Sequence, residues 1–232
     1  MDIKNQFGCY YAAFKNKKAT NFVLESFRKH FPENPIFLIS DGGDDFTELA
    51  KKHKCKYRYL HNIFEPKYSS YCSKRMTEYW KRLKMAVDHS QKEYLMILED
   101  DVLVRDYFEI NTHFDLCGSR LGAQFTTIAI EDIKASTGLD VHRYGMCGGS
   151  LFNTKIFNKI YDDVLLDIQE NHDDKVTREQ WCSLGATDSS ITYHFSKRGY
   201  FYEPNPWMVE VREQPNWASS KFPIVHEYKE NY

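Results

Sequence analysis

Tyr94-Leu95-Met96-Ile97-Leu98-Glu99-Asp100-Asp101 is the stretch that decides the fold class. Five apolar residues in succession predict a strand buried on both faces, as in a parallel sheet covered by helices on either side. The run passes without a break into three carboxylates. Adjacent negative charges at the end of a buried strand are costly unless they stay in water or gather around something positive. A divalent cation with oxygen ligands, Mn²⁺ or Mg²⁺ shared with a phosphate, meets that need. A charged junction where the strand ends in solvent meets it too. The surrounding sequence has to separate the two readings.

Toward the N-terminus, residues 7–14 are an apolar and aromatic run that predicts the first strand. Phe22, Val23, Phe27 and Phe31 recur at helical intervals, and Pro32 ends that helix. Ile36-Phe37-Leu38-Ile39-Ser40 is the second strand, followed by an Asp41-Gly42-Gly43 turn. Asp45 and Glu48 have the spacing of a capping box in front of a short helix. Residues 56–60 alternate Tyr57 and Tyr59 with basic residues, which suits a strand at the sheet margin. This βαβαβ order predicts a parallel sheet with crossover helices. Residues 61–70 are a loop. A longer helix follows over about 71–89, with Met76, Tyr79, Trp80, Leu83 and Val87 as its apolar stripe. Lys74, Lys81 and Arg82 are expected off that stripe, facing solvent or a neighbouring phosphate.

Beyond the acidic triplet, Val102-Leu103-Val104 is a second short apolar run. Residues 121–130 are a strand candidate, because β-branched residues crowd positions 126–130. Residues 131–144 carry little pattern and read as an excursion. Gly145, Gly148 and Gly149 precede a strand-like Leu151-Phe152, and Asn153 or Thr154 is placed to cap a helix around 156–161. The polar stretch 167–178 is expected to be a mobile loop. Ala186-Thr187-Asp188 opens the last clear helix, and residues 200–203 form a short strand. The tail from Val211 shows no strong element.

At 232 residues the chain fits one domain. A net charge of -2 argues against non-specific nucleic-acid binding. The sixteen Tyr and sixteen Phe exceed what packing needs, so some are expected in a binding cleft. None of the six cysteines forms a C-x-x-C pair, which leaves no zinc-ribbon or redox signature. Cys9 and Cys55, on strands, read as buried thiols. No signal peptide and no membrane span are found, so a soluble, cytoplasmic protein is expected.

The first strand, Asp41 and the 99–101 triplet converge on the carboxyl edge of one sheet, where open α/β sheets bind ligands. Neither G-x-G-x-x-G nor a P-loop is present, which argues against a dinucleotide-dependent dehydrogenase and a P-loop NTPase. The order of elements, with Ile97-Leu98-Glu99-Asp100-Asp101-Val102 at its centre, resembles the GT-A class of nucleotide-sugar-dependent glycosyltransferases. The triplet matches the E-D-D form of the D-x-D motif in that class.

The resemblance implies an α/β, GT-A, Rossmann-like mostly parallel mixed sheet flanked by helices. It also implies metal-assisted transfer of a sugar from a nucleoside-diphosphate sugar, UDP-linked by preference, to a carbohydrate or glycan acceptor. Asp101 then corresponds to the direct metal ligand. Glu99 reaches the Mn²⁺ or Mg²⁺ through water or touches the ribose, and Asp100 bonds the donor sugar or faces outward. Asp41, with Tyr10 on the first strand, belongs to the nucleoside side. His226, after the apolar Ile224-Val225, completes the metal site in some members. Gly148 and Gly149 resemble the segment that lines the donor sugar. Asp188 resembles the base of inverting members, with Glu179 in reserve, and inversion follows from that choice. Trp181, Trp207 and Trp217 are candidate sugar-stacking faces. Competing readings are a metal-dependent nucleotidyltransferase, which lacks its glycine-rich basic loop here, a metal-dependent nuclease, and a catalytically idle sugar- or nucleotide-sugar-binding module.

Overall fold

Four parallel strands form the frame. The chain begins β1 (Phe7–Ala13), α1 (Lys17–His30), β2 (Ile36–Asp41), α2 (Thr47–Lys52), β3 (Lys56–Leu60), α3 (Ser73–Ser90) and β4 (Tyr94–Leu98). It continues with β5 (Leu103–Val104), β6 (Leu116–Gly118), α4 (Thr127–Thr137), β7 (Leu151–Asn153), α5 (Thr154–Asn171) and α6 (Thr187–Ser196). Three short strands close it: β8 (Tyr202–Pro204), β9 (Met208–Glu210) and β10 (Ile224–His226). This computed structural model describes residues 6–62, 73–120, 127–140, 146–171, 187–212 and 216–228.

The main sheet has the order β3-β2-β1-β4-β7-β6-β8. β3, β2, β1 and β4 run parallel, and β7 joins β4 antiparallel. The result is an α/β fold with a largely parallel mixed sheet. β3 is the edge strand and the most exposed of the four parallel strands, with only Tyr57 and Leu60 half-buried, one against each core layer. A second sheet, β5-β10-β9, lies apart from the first.

Strand alternation splits the apolar residues into two layers. Cys9, Tyr11, Leu38, Met96 and Leu98 pack with Val23, Leu24 and Phe27 of α1. Tyr10, Ile39, Leu95 and Ile97 pack with Trp80 and Leu83 of α3 on the other side. All five residues of β4 are buried, as a strand covered on both faces requires. α1 starts where the Asn16 side chain accepts the Ala19 N–H at 3.0 Å. α5 starts similarly, with Asn153 Oδ1 taking the Lys155 and Ile156 N–H groups. No helix among the described residues is long and apolar enough to cross a membrane.

Several local expectations need correction. Thr127–Ile130 is helical, as the start of α4, and the strand that pairs with β7 is β6 instead. Packing overrides β-branched propensity here: Ile133 is fully buried, and Tyr193 of α6 bonds Asp132 on α4. α5 runs to Asn171, through the first part of the expected loop, whose remainder (172–178) lies outside the described residues. There is no capping box at α2. Asp45 Oδ1 accepts the Thr47 N–H and hydroxyl, while Glu48 pairs with Lys51. Arg82 is not on the solvent face of α3 but almost wholly buried, as is Arg75. The tail is built as well, since β10 sits at the centre of the second sheet.

Candidate active site

The parallel register of β1 with β2 and β4 sets Leu98 opposite Tyr11 and Ser40 opposite Ala13. Asp41 and the acidic triplet therefore leave the sheet at the same edge. The triplet does not act as a unit. Asp100 turns to the α1 side, where Tyr11 donates to Oδ1 at 2.6 Å and Thr20 at 3.4 Å. Burial raises the Asp100 pKa against the opposing pull of those two bonds.

Glu99 and Asp101 turn the other way and meet His226. Its Nε2 lies 3.3 Å from Glu99 Oε2 and 3.5 Å from Asp101 Oδ1. The three donors lie within 4.8 Å of one another. What brings residue 226 back to residue 101 is the second sheet. β5 begins two positions after Asp101, and β10 pairs with it antiparallel through Ile224–Val104 and Val225–Leu103. The Tyr228 N–H then donates to the Asp101 carbonyl at 2.9 Å. Arg105, just beyond β5, fixes the approach by donating to the carbonyls of Trp217, Ser220 and Phe222.

The donor set suits a divalent cation. Two carboxylates and one imidazole that converge on a sheet edge are a donor set able to hold a metal ion. The electrostatics agree. Burial disfavours charge on His226, but the Cys147 sulfur and the Glu210 and Glu99 carboxylates close around the ring outweigh it and raise the imidazole pKa far above its usual range. Surroundings that hold a proton so strongly favour a divalent cation in its place.

Beside this cluster is a cavity of about 250 Å³, lined by Tyr10, Asp41, Tyr79, Arg82, Glu99 and Thr187, among others. Its wall carries a buried ion pair. Arg82 Nη1 donates to Asp41 Oδ1 at 2.6 Å, and Nη2 donates to the His61 carbonyl at 2.5 Å. Tyr10 and Tyr79 meet edge to face at 6.3 Å and supply aromatic surface. Glu99 belongs both to this cavity and to the cation cluster, so a ligand filling one can reach the other.

Gly148 lies against the cluster. A Cβ there would sit 2.4 Å from Val102 Cγ2, 3.0 Å from Glu99 Cβ and 3.2 Å from His226 Cδ2. Gly149 has φ +92, which a side chain would strain. Gly148→Ala is expected to push Glu99 and His226 apart and weaken Mn²⁺ binding by about tenfold or more, alongside ~1–3 kcal/mol of overpacking. Calorimetric Mn²⁺ titration and urea unfolding of the variant check both effects.

Asp188 is the second residue of α6, next to the cavity-lining Thr187. Its side chain, together with Glu179 and Trp181, lies outside the described residues. Trp207 is core, stacked on Phe108 at 5.3 Å, and so is not a sugar platform. Trp217 packs edge-on to Tyr228. Glu210 is the residue that sequence reading missed, and Arg82, expected to face solvent or a phosphate, is instead buried against Asp41. Arg82 has a visible signal, since Arg75, Tyr79, Arg82 and Ala86 recur at three- and four-residue intervals on one helix face.

No protein-family model matches the chain, and no curated protein matches it. Solved structures do. The glycosyltransferase GlyE of Streptococcus pneumoniae TIGR4, in its apo form, superposes with a TM-score of 0.53 at 12% identity over 97% of this chain. The fold is of the GT-A, Rossmann-like class. The galactosyltransferase LgtC, in complex with donor and acceptor sugar analogs, superposes with a TM-score of 0.51 at 17% identity. That match covers 96% of this chain and 87% of LgtC, whereas the chain spans only 55% of the length of GlyE.

Proposed function

We propose that this chain is a metal-assisted glycosyltransferase that moves a sugar from a nucleoside-diphosphate sugar, UDP-linked by preference, to an acceptor hydroxyl. The observation that carries the proposal is the shared position of Glu99, which joins a nucleoside-sized aromatic cavity to the Glu99, Asp101 and His226 donor set. The likeness to GlyE and LgtC supports the fold on which such a site is built.

In this reading the first half of the chain, about 1–104, holds the nucleotide and the second half the acceptor. Tyr10 and Tyr79 flank the base, and Asp41, oriented by Arg82, accepts a base N–H or a ribose hydroxyl. Glu99, Asp101 and His226 hold Mn²⁺ or Mg²⁺, which when bound neutralises charge growing on the departing diphosphate. Gly148 and Gly149 line the donor sugar with backbone only, since the space their side chains would take is filled by Val102 and His226 and by Met208 and Ile224. Asp188, or failing it Glu179, removes the acceptor proton as the acceptor oxygen bonds to the anomeric carbon and the diphosphate oxygen leaves it, with inversion.

The test is release of UDP from a panel of UDP-sugars in Mn²⁺, with and without simple sugar acceptors, for the native chain and Asp188→Asn. The native chain is expected to turn over one donor, and Asp188→Asn to fall about 10²–10⁴-fold while binding UDP unchanged. Equal turnover of the two would remove Asp188 from the reaction. Binding without any turnover by the native chain would favour an idle nucleotide-sugar-binding module.

A further inference from the structure

We propose that Glu210 is a positioning residue for the cation centre: its carboxylate holds the His226 proton on Nδ1 and so turns the Nε2 lone pair toward Glu99 and Asp101. The inference rests on the reading of Glu99, Asp101 and His226 as cation ligands.

The strand register provides the basis. β9 and β10 are parallel neighbours, and Glu210 is the direct partner of His226 across that ladder, so the two side chains stand abreast on one face. Nδ1 of His226 lies 3.4 Å from Glu210 Oε1, whereas Nε2 faces Glu99 and Asp101 at 3.3 and 3.5 Å. The imidazole is thus placed between carboxylates on opposite edges of the ring. A neutral imidazole carries one proton, and the nitrogen that keeps it cannot bind a metal. With the proton on Nε2, an N–H would point into the cation position. In this structure Nε2 bonds Glu99, and Nδ1 makes no hydrogen bond among the described residues. A cation that takes over the Nε2 contact would shift the proton to Nδ1, where the Glu210 carboxylate 3.4 Å away is placed to accept it, and leave the lone pair where the other two ligands converge.

Burial makes the arrangement specific. Glu210 is 3% exposed, on a strand whose other residues, Met208 and Val209, are core. A carboxylate is costly at such a position unless partners compensate it. The largely exposed Arg212 brings a guanidinium to 3.9 Å of Oε2. The Cys147 thiol donates to the same Oε1 at 3.6 Å, which steadies the oxygen that faces His226. Gly148, the next residue, abuts the edge of the imidazole at Cδ2. Ring position, ring rotation and proton location are then set by β9, the 147–148 turn and Glu210 together. Outer carboxylates that orient a ligating histidine are a general device of metal centres.

Mn²⁺ titration is compared for the native chain, Asp101→Ala, His226→Ala, Glu210→Met and the double variant His226→Ala/Glu210→Met. Methionine keeps the volume of Glu210 and removes the acceptor. Glu210→Met is expected to weaken Mn²⁺ by about 10–100-fold, and to cost nothing further once His226 is gone, because Glu210 acts only through that ring. A Glu210→Met affinity equal to native, or losses that multiply in the double variant, would overturn the proposal. A native chain that binds no Mn²⁺, or binds it without Asp101, removes the cation centre itself and the proposal with it. Losses in Asp101→Ala and His226→Ala, with none in Glu210→Met, remove only the role of Glu210. Long-range ¹H–¹⁵N correlation spectra of the native chain saturated with Mg²⁺ need no variant. They are expected to show the proton on Nδ1 of His226, and a proton on Nε2 would contradict the assignment.

Discussion

Replacing Arg82 with leucine is expected to cost ~3–5 kcal/mol of folding stability, read by urea or thermal unfolding. Arg82 is 1% exposed and Asp41 4% exposed, and the pair closes at 2.6 Å on the wall of the cavity. Without the guanidinium, the Asp41 carboxylate keeps its burial but loses its main compensating charge, and the His61 carbonyl loses a donor. A loss of this size is a large fraction of the ~5–15 kcal/mol that stabilises a typical domain. The double variant Asp41→Asn/Arg82→Met is expected to be more stable than Arg82→Leu, since it removes both charges together. If Arg82→Leu unfolds like the native chain, the pair is not the buried interaction described above.

Asp101→Ala is expected to behave in the opposite way. Its turnover of a nucleotide sugar should fall by ~10³-fold or more, because the cation it helps to hold is worth several kcal/mol to the transition state. Its stability in metal-free buffer should change far less, by ~1 kcal/mol at most, because relief of repulsion from Glu99 and Asp100 is offset by loss of the 3.5 Å contact with His226. Paired activity and melting measurements check the contrast. An Asp101→Ala variant that keeps its activity, or that loses activity only by unfolding, would count against a cation centre at this position.

The legible parts of the chain were those where one physical signal dominates. β4 was readable because five consecutive apolar residues have no other economical placement than a strand covered on both faces. The parallel direction of β1, β2, β3 and β4 follows from strands alternating with amphipathic helices, whereas their order β3-β2-β1-β4 is read only from the structure. α4 was misread because the β-branched run at its start favours a strand locally, whereas burial of Ile133 and the Asp132–Tyr193 contact favour a helix in the fold. Arg82 was placed on the surface because charge was weighed above its position on the helix face. The second sheet lay beyond sequence reasoning. Strands of two and three residues carry no usable periodicity, and the register that pairs Glu210 with His226 is a long-range fact. His226 was reachable as a candidate from its short apolar approach, but nothing local indicated which of its nitrogens would face which carboxylate.

The most direct test of the central claim is calorimetric titration of UDP, with GDP as control, into the native chain and Asp101→Ala, with and without Mn²⁺. The account predicts Mn²⁺-dependent binding of UDP by the native chain and its loss in Asp101→Ala. Binding that ignores both the metal and Asp101, or no binding of either nucleotide, would contradict it and return Glu99, Asp100 and Asp101 to a charged strand end.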